Sequence, residues 1–333
     1  MPEQVQVIDN TGIPSTSSHI LGDARWTGET ITVEDVKLEL SDDVIAELDK
    51  VADAVADESV DITTLRASQF EHTAMAAFAE KAKGILDTGS GVVLVDRLPI
   101  ERYGKRGATA CYWVLAGLIG RPVSQKWSGK MLYDVRDSGK PHGNGVRGSV
   151  TNVELFFHTD NSFGMLLPQY IGLLCLQTAK TGGESRLVNW AAVIDKLDEE
   201  HPELVARATE PFLFDRQAEH APDAPKVLKK YILQNQDGRF GMCFSSRLMR
   251  TGYRMADQTL DAEGAAFLDA VDDIVNRPEM QFRMDIQRGQ IQFINNGRTG
   301  HARSQFEDYD DPELKRHLLR IWLREYGGVD YDG

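Results

Sequence analysis

The sequence predicts a mainly β, α+β fold: a sandwich or barrel of short strands with helices packed outside it. Three observations carry this. Val92-Val93-Leu94-Val95-Asp96 is a short β-branched run of the kind that forms a buried strand. Gln290-Ile291-Gln292-Phe293-Ile294-Asn295-Asn296 alternates with the period of two that a strand requires. Further short apolar runs near 170–176, 186–190 and 231–244 are separated by helix-like stretches, a pattern of short strands with inserted helices.

Taken in order, residues 1–30 are rich in Gly, Ser, Thr and Pro without a period and read as an irregular arm. Ser41-Asp42-Asp43 caps a helix whose Val44, Ile45, Leu48, Val51, Ala52 and Val55 share one face. A second helix is predicted over 67–86, closed by Asp87-Thr88-Gly89-Ser90-Gly91. A third, over 100–119, carries Tyr112, Trp113, Leu115 and Leu118 and stops at Gly120-Arg121-Pro122. Residues 138–148 hold Gly139, Pro141, Gly143, Gly145 and Gly148, which marks either a lid or a long exposed connection. Asn152–Phe157 reads as a strand, Ala191–Leu204 as a helix, Pro211–Lys226 as a charged excursion, and 260–276 as another helix. The expected organisation is an arm and helical extension over 1–90 and a catalytic β domain over 91–333.

At 333 residues the chain can bury a substantial core. Its formal net charge of −14 argues against nucleic acid and anionic membrane surfaces as partners, because both need a basic face. Any anionic substrate must be drawn in by local arginines. Cys111, Cys175 and Cys243 are widely spaced and odd in number, as buried thiols of a reducing compartment would be. No run reaches the roughly 18 apolar residues of a membrane span. The N-terminal stretch lacks the basic and apolar regions of a signal peptide, so a cytoplasmic location is expected.

The chemistry centres on Phe156-Phe157-His158-Thr159-Asp160. On a strand, residues two apart share a face, so His158 and Asp160 would project together. The strand over 290–296 leads into Gly297-Arg298-Thr299-Gly300-His301, which offers a third ligand. Two histidines and a carboxylate on one face of an ion leave adjacent positions open. That suits non-haem Fe(II) binding a cosubstrate and O2 together.

The ordered set His158-x-Asp160, Gly182-Gly183-Glu184-Ser185, His301, Arg316, Arg320 resembles the taurine dioxygenase branch of the clavaminate synthase-like Fe(II)/2-oxoglutarate dioxygenases, from about residue 90 to about 325. The resemblance implies a double-stranded β-helix, or jelly roll, with flanking helices. It implies that His158, Asp160 and His301 hold iron. Arg316 would grip the distal carboxylate of 2-oxoglutarate with a planar fork that lysine lacks, and Ser185 would place a hydroxyl against the same group. Arg320 would bind the substrate's acidic group or assist the cosubstrate. The implied reaction releases succinate and CO2 and most simply hydroxylates an unactivated carbon. Halogenating relatives have a small residue where Asp160 stands, so halogenation is disfavoured, while desaturation, cyclisation and epoxidation stay open.

Several readings remain in competition at this level. Pro312-Glu313-Leu314-Lys315-Arg316 looks like a capped helix start, and spacing alone does not separate a helix from a strand for Arg316 and Arg320. The resemblance implies a helical turn giving way to a strand, with Arg316, Leu318, Arg320 and Trp322 inward. Glu154 and Asn152 would share the inward face of the motif's strand, Glu154 meeting either a substrate amine or a structural partner. Arg247, Arg250 and Arg254 would face either substrate or an adjacent subunit of a homo-oligomer. Phe156, Phe157, Phe163 and Trp190 read as core. The expected substrate is a small carboxylate-bearing or amino-acid-like molecule. The rivals are a non-catalytic β-helix protein that binds a small acid, and a metal-dependent hydrolase or lyase with no evident need for Arg316.

Overall fold

The computed structural model describes residues 5–7, 24–139, 147–236 and 239–331. Among these, eight strands are shared between two facing sheets, the chain changing sheet at each step except from the fourth strand to the fifth. Leu132–Val135, Tyr170–Gln177, Ile291–Asn295 and His317–Arg324 lie in the larger sheet. Leu155–His158, Ser185–Asn189, Phe282–Met284 and Thr299–Arg303 form the smaller one. This alternation is the double-stranded β-helix. Neighbours within these eight pair antiparallel, with Ile291–Asn295 beside Tyr170–Gln177 and Tyr170–Gln177 beside His317–Arg324. The larger sheet is extended by Val92–Asp96 and then, in parallel, by Lys37–Glu39.

The pleat divides the larger sheet chemically. Val93, Val95, Ile291, Phe293, Leu319, Ile321 and Leu323 pack outward against a helical layer. That layer is Asp42–Ala54, Thr73–Asp87 and Ile100–Ile119. Each such side chain contributes about 1.5–3 kcal/mol when fully buried. The opposite face sends Gln292, Leu318, Arg320 and Trp322 into the space between the sheets, where polar groups line a cavity. Gly172 allows the close fit on the outward face: a Cβ there would lie 2.5 Å from the Tyr112 hydroxyl and 2.7 Å from the Phe293 ring.

Residues 190–281 are inserted between the fourth and fifth strands of the β-helix. They include the helices Trp190–Glu200, Ser246–Met255 and Ala262–Asn276, which share a core with Leu187 and Ala302 of the smaller sheet.

Several elements differ from expectation. The second helix starts at Thr73, after a short 3-10 turn over Ala67–Gln69. The Ile100–Ile119 helix is interrupted at Gly104, whose φ of 64° is outside the helical region. The helix expected over 191–204 breaks at His201, because Pro202 starts a new short helix rather than continuing the old one. Pro211–Lys226 is not all excursion, since Pro211–Asp215 pairs with Val227–Tyr231. The arm contains a strand, Val5–Val7, parallel to Val227–Tyr231. By contrast, the 3-10 turn Pro312–Leu314 followed by the strand His317–Arg324 is the turn-then-strand that the resemblance implies, and Arg320 lies on that strand. The central part of the expected lid, residues 140–146, lies outside the described residues.

Candidate active site

The Leu155–His158 strand ends at the first histidine, so Asp160 is not on the pleat. It sits in a turn with Asn161 in the left-handed region at φ 57°. The turn is anchored from two sides. Thr159 exchanges backbone and hydroxyl hydrogen bonds with Met242 and Phe244. Asn296 accepts from the Asp160 N–H at 2.9 Å and donates to the Asp160 carbonyl at 3.0 Å. Convergence of His158 and Asp160 therefore comes from this clamp, not from strand alternation as expected.

His301 is the register partner of His158 across the smaller sheet, which brings the two rings to 4.3 Å between centroids. His158 Nε2 lies 3.4 Å and His301 Nε2 3.7 Å from Asp160 Oδ1. One donor atom from each residue falls within 4.8 Å of the others. His158 Nδ1 lies 2.9 Å from the Phe156 carbonyl, which fixes the proton there and leaves the Nε2 lone pair for an ion. These donors fit a divalent ion of the N/O-binding kind. Burial lowers the pKa of His301 and the neighbouring His158 lowers it further, so its ring is held neutral, the form that ligates.

Burial alone would raise the Asp160 carboxyl. The Arg320 guanidinium outweighs it and holds the carboxyl well below the usual carboxylate range. Arg320 Nη1 is 3.0 Å from Asp160 Oδ2, and Trp322 Nε1 donates to the same oxygen at 2.8 Å. The Arg320 Nε donates to Gln125 Oε1 at 2.8 Å, while Gln125 returns a hydrogen bond to the Arg320 carbonyl. Arg320 is thus engaged by the carboxylate and by Gln125, and it supports Asp160 from behind. Nothing in the sequence around Gln125 signals that role.

Arg316 is 7% exposed, and burial lowers its pKa to about 10. Its Nη1 has no hydrogen-bond partner among the described residues. Gly183, at φ 79°, makes room for it: a Cβ there would lie 2.9 Å from Arg316 Nε. Ser185 is buried on the wall of the same cavity and donates to Gln292 Oε1 at 2.8 Å. A buried cation with a spare donor and a hydroxyl in the same cavity is a receptor for a carboxylate.

The triad, Ser185, Arg316 and Arg320 all line one cavity of about 770 Å³. At its mouth the expectations need correction. Glu154 lines the cavity but is exposed and ion-paired with Arg186, so it is not a buried carboxylate awaiting an amine. Asn152 precedes the strand, which starts only at Leu155, and it does not line the cavity; its carbonyl accepts from Phe306 N–H at 3.1 Å. Arg247 does line the cavity, exposed, with a single 3.4 Å bond to Gln217. Arg250 is neutralised by Asp269 at 2.6 Å. Phe157, Phe163 and Trp190 are core, whereas Phe156 is 64% exposed on the rim. Arg303, buried on the cavity wall, went unremarked in the sequence, although alternation two residues beyond His301 would have flagged it. Among the described residues no helix is long and apolar enough to cross a membrane.

Comparison with known proteins agrees with this geometry. Residues 58–322 match the family model described as "Taurine catabolism dioxygenase TauD, TfdA family". The chain is 27% identical over 252 residues to FR-33289 synthase of Streptomyces rubellomurinus (strain ATCC 31215), spanning 74% of this chain and 72% of that protein. It is 26% identical over 309 residues to the taurine hydroxylase-like protein SAT17 of Stachybotrys chartarum (strain CBS 109288 / IBT 7711), spanning 89% and 77%. Among solved structures, an asparagine oxygenase in complex with Fe(II), 2S,3S-3-hydroxyasparagine and succinate superposes with a TM-score of 0.65 at 16% identity, covering 89% of this chain and 99% of that one. The non-heme iron oxygenase OrfP in complex with Fe and alpha-ketoglutaric acid gives 0.61 at 15%, covering 87% and 94%. At these identities the two structures speak for a shared fold.

Proposed function

The chain belongs to the TauD/TfdA dioxygenase family, and from that premise we propose that it is an Fe(II)- and 2-oxoglutarate-dependent hydroxylase of a small, acid-bearing molecule. One observation carries the reading: three ligand atoms within 4.8 Å share a cavity with a buried guanidinium that has a donor to spare. A non-catalytic acid binder would need the arginine but not the metal set, and a metal hydrolase the reverse.

In this reading His158, Asp160 and His301 hold the iron, and Arg316 with Ser185 takes the distal carboxylate of the 2-oxo acid. Bound together there, iron, 2-oxoglutarate and O2 supply the oxidising power that converts a substrate C–H bond to an alcohol, with release of succinate and CO2. The protein contributes placement. The Phe156 carbonyl keeps the proton on His158 Nδ1, and Arg320 with Trp322 keeps Asp160 ionised. The flanking apolar walls, including Ile171, Phe163 and Val275, keep water from the reacting carbon.

Arg247 is the group at the mouth that suits a substrate carboxylate, because it pairs with no acid among the described residues. An amino-acid-like substrate would meet Glu154 at the mouth, already paired with Arg186. The hydroxyasparagine held by the superposable asparagine oxygenase supports that class. Succinate release against a panel of amino acids, carboxylic acids and sulfonic acids tests the proposal. Turnover confined to neutral lipophilic compounds would overturn the substrate class.

A further inference from the structure

Arg303 stands two residues beyond His301 on the Thr299–Arg303 strand and faces the same cavity. Its register partner on the neighbouring strand is Ser185. The side chain is 6% exposed, and its Nε and Nη1 have no hydrogen-bond partner among the described residues; Nη2 alone is used, on the Val153 carbonyl. Arg316 is in the same condition, with Nη1 unused. The two guanidiniums rest against one ring, that of Phe306, at 4.7 and 5.1 Å from its centroid.

Two other buried arginines are met by acids, Arg207 by Asp261 and Arg320 by Asp160. Asp308 accepts a hydrogen bond from the Arg316 backbone N–H and leaves Oδ2 without a hydrogen-bond partner, and its charge acts on both guanidiniums without forming an ion pair with either. Two desolvated cations on one ring repel each other, and Asp308 offsets only part of the hydration they have lost. An anion lying between them would relieve both.

We propose that Arg303 and Arg316 together form a two-guanidinium clamp for the distal carboxylate of the 2-oxo acid. This inference rests on the cosubstrate reading above and adds a second arginine to it. Ser185 beside Arg303 and the shared Phe306 ring put Arg303 on the cosubstrate's side of the cavity. The free arginine of the substrate's side, Arg247, belongs to the Ser246–Met255 helix. A carboxylate has enough lone pairs for both forks, and each charge-assisted contact adds selectivity for a second carboxylate on the acid.

The test is anaerobic equilibrium binding to Fe(II)-loaded protein of 2-oxoglutarate and of 2-oxopentanoate, which has the same carbon chain without the distal carboxylate. In Arg303→Met the dissociation constant for 2-oxoglutarate should rise about tenfold or more, the loss expected for a hydrogen bond to a charged group. That for 2-oxopentanoate should stay as in wild type. Arg303→Lys, which keeps the charge and more of the packing, should fall between, and it serves alone if the methionine variant does not fold. Equal weakening toward both acids would overturn the clamp and leave Arg303 as a brace for the Val153 loop. Unchanged affinity for both would overturn it as well. Wild-type protein that binds 2-oxopentanoate as tightly as 2-oxoglutarate would instead overturn the cosubstrate reading, and the clamp with it.

Discussion

Arg320 Nη1 lies 3.0 Å from Asp160 Oδ2, and this contact joins the last strand of the larger sheet to the turn that carries the proposed metal carboxylate. The guanidinium keeps a fully buried carboxyl ionised, so it acts on the metal through Asp160. Replacing Arg320 by Met should weaken divalent-metal binding by about 10–100-fold, the usual cost of losing a partner behind a metal ligand. Competition titration with Co(II) or Fe(II) reads this directly. Unchanged affinity would show that Trp322 alone suffices to hold Asp160.

Gly183 offers a test of the Arg316 pocket without touching the arginine. Its φ of 79° and the 2.9 Å approach of a Cβ to Arg316 Nε mean that Gly183→Ala must displace the guanidinium. The expected result is a rise of about tenfold in the 2-oxoglutarate dissociation constant, with metal affinity unchanged, because the triad lies on other elements. Equal affinity for 2-oxoglutarate in the variant and the wild type would refute it.

Asn296 is fully buried and holds both the N–H and the carbonyl of Asp160, with a further bond to the Pro168 carbonyl at 3.0 Å. Asn296→Ala strands one donor and two acceptors in the interior. A stability loss of about 3 kcal/mol follows from typical costs of unsatisfied buried groups. Urea unfolding should show a lower midpoint with an unchanged slope.

A pH-dependent contribution to stability is expected far from the site, at Glu200. Arg277 grips its two oxygens at 2.8 Å each and Lys196 adds a third contact, which lowers the carboxyl from 4.5 to about 2. A depressed carboxyl stabilises the fold above its unfolded value and loses that contribution as pH falls toward the folded one. The melting-temperature difference between wild type and Glu200→Gln should therefore be present at pH 6 and should shrink between about pH 4.5 and 2. A difference constant across that window would refute the assignment.

The jelly roll was readable where the residues alternate. Val92–Asp96 and Ile291–Asn295 announced themselves as strands, and His158 closes its strand, whereas His301 sits mid-strand on Thr299–Arg303 and not at the end of the strand over 290–296. The site was readable as an ordered set of residue types, because ligands and carboxylate receptors are chemically unlike their surroundings. What the sequence concealed depends on partners distant in the chain. Glu154 looked buried on a strand that in fact begins one residue later, and its charge is met by Arg186, 32 positions away. Arg320 looked available for substrate until Gln125, 195 positions away, and Asp160 were seen to occupy it. Arg303 was hidden for a different reason: an arginine on a short strand looks like a surface residue until its neighbours are known.

The insertion over 190–281 divides the labour of the molecule in a way useful to an engineer. Arg247 and Gln217 reach the cavity from this segment, while the triad, Ser185, Arg303, Arg316 and Arg320 all lie outside it. On the proposed reading, selectivity can be redrawn at the cavity-facing positions of this one block of chain, provided that Met242 and Phe244, which anchor the Asp160 turn from within it, are kept.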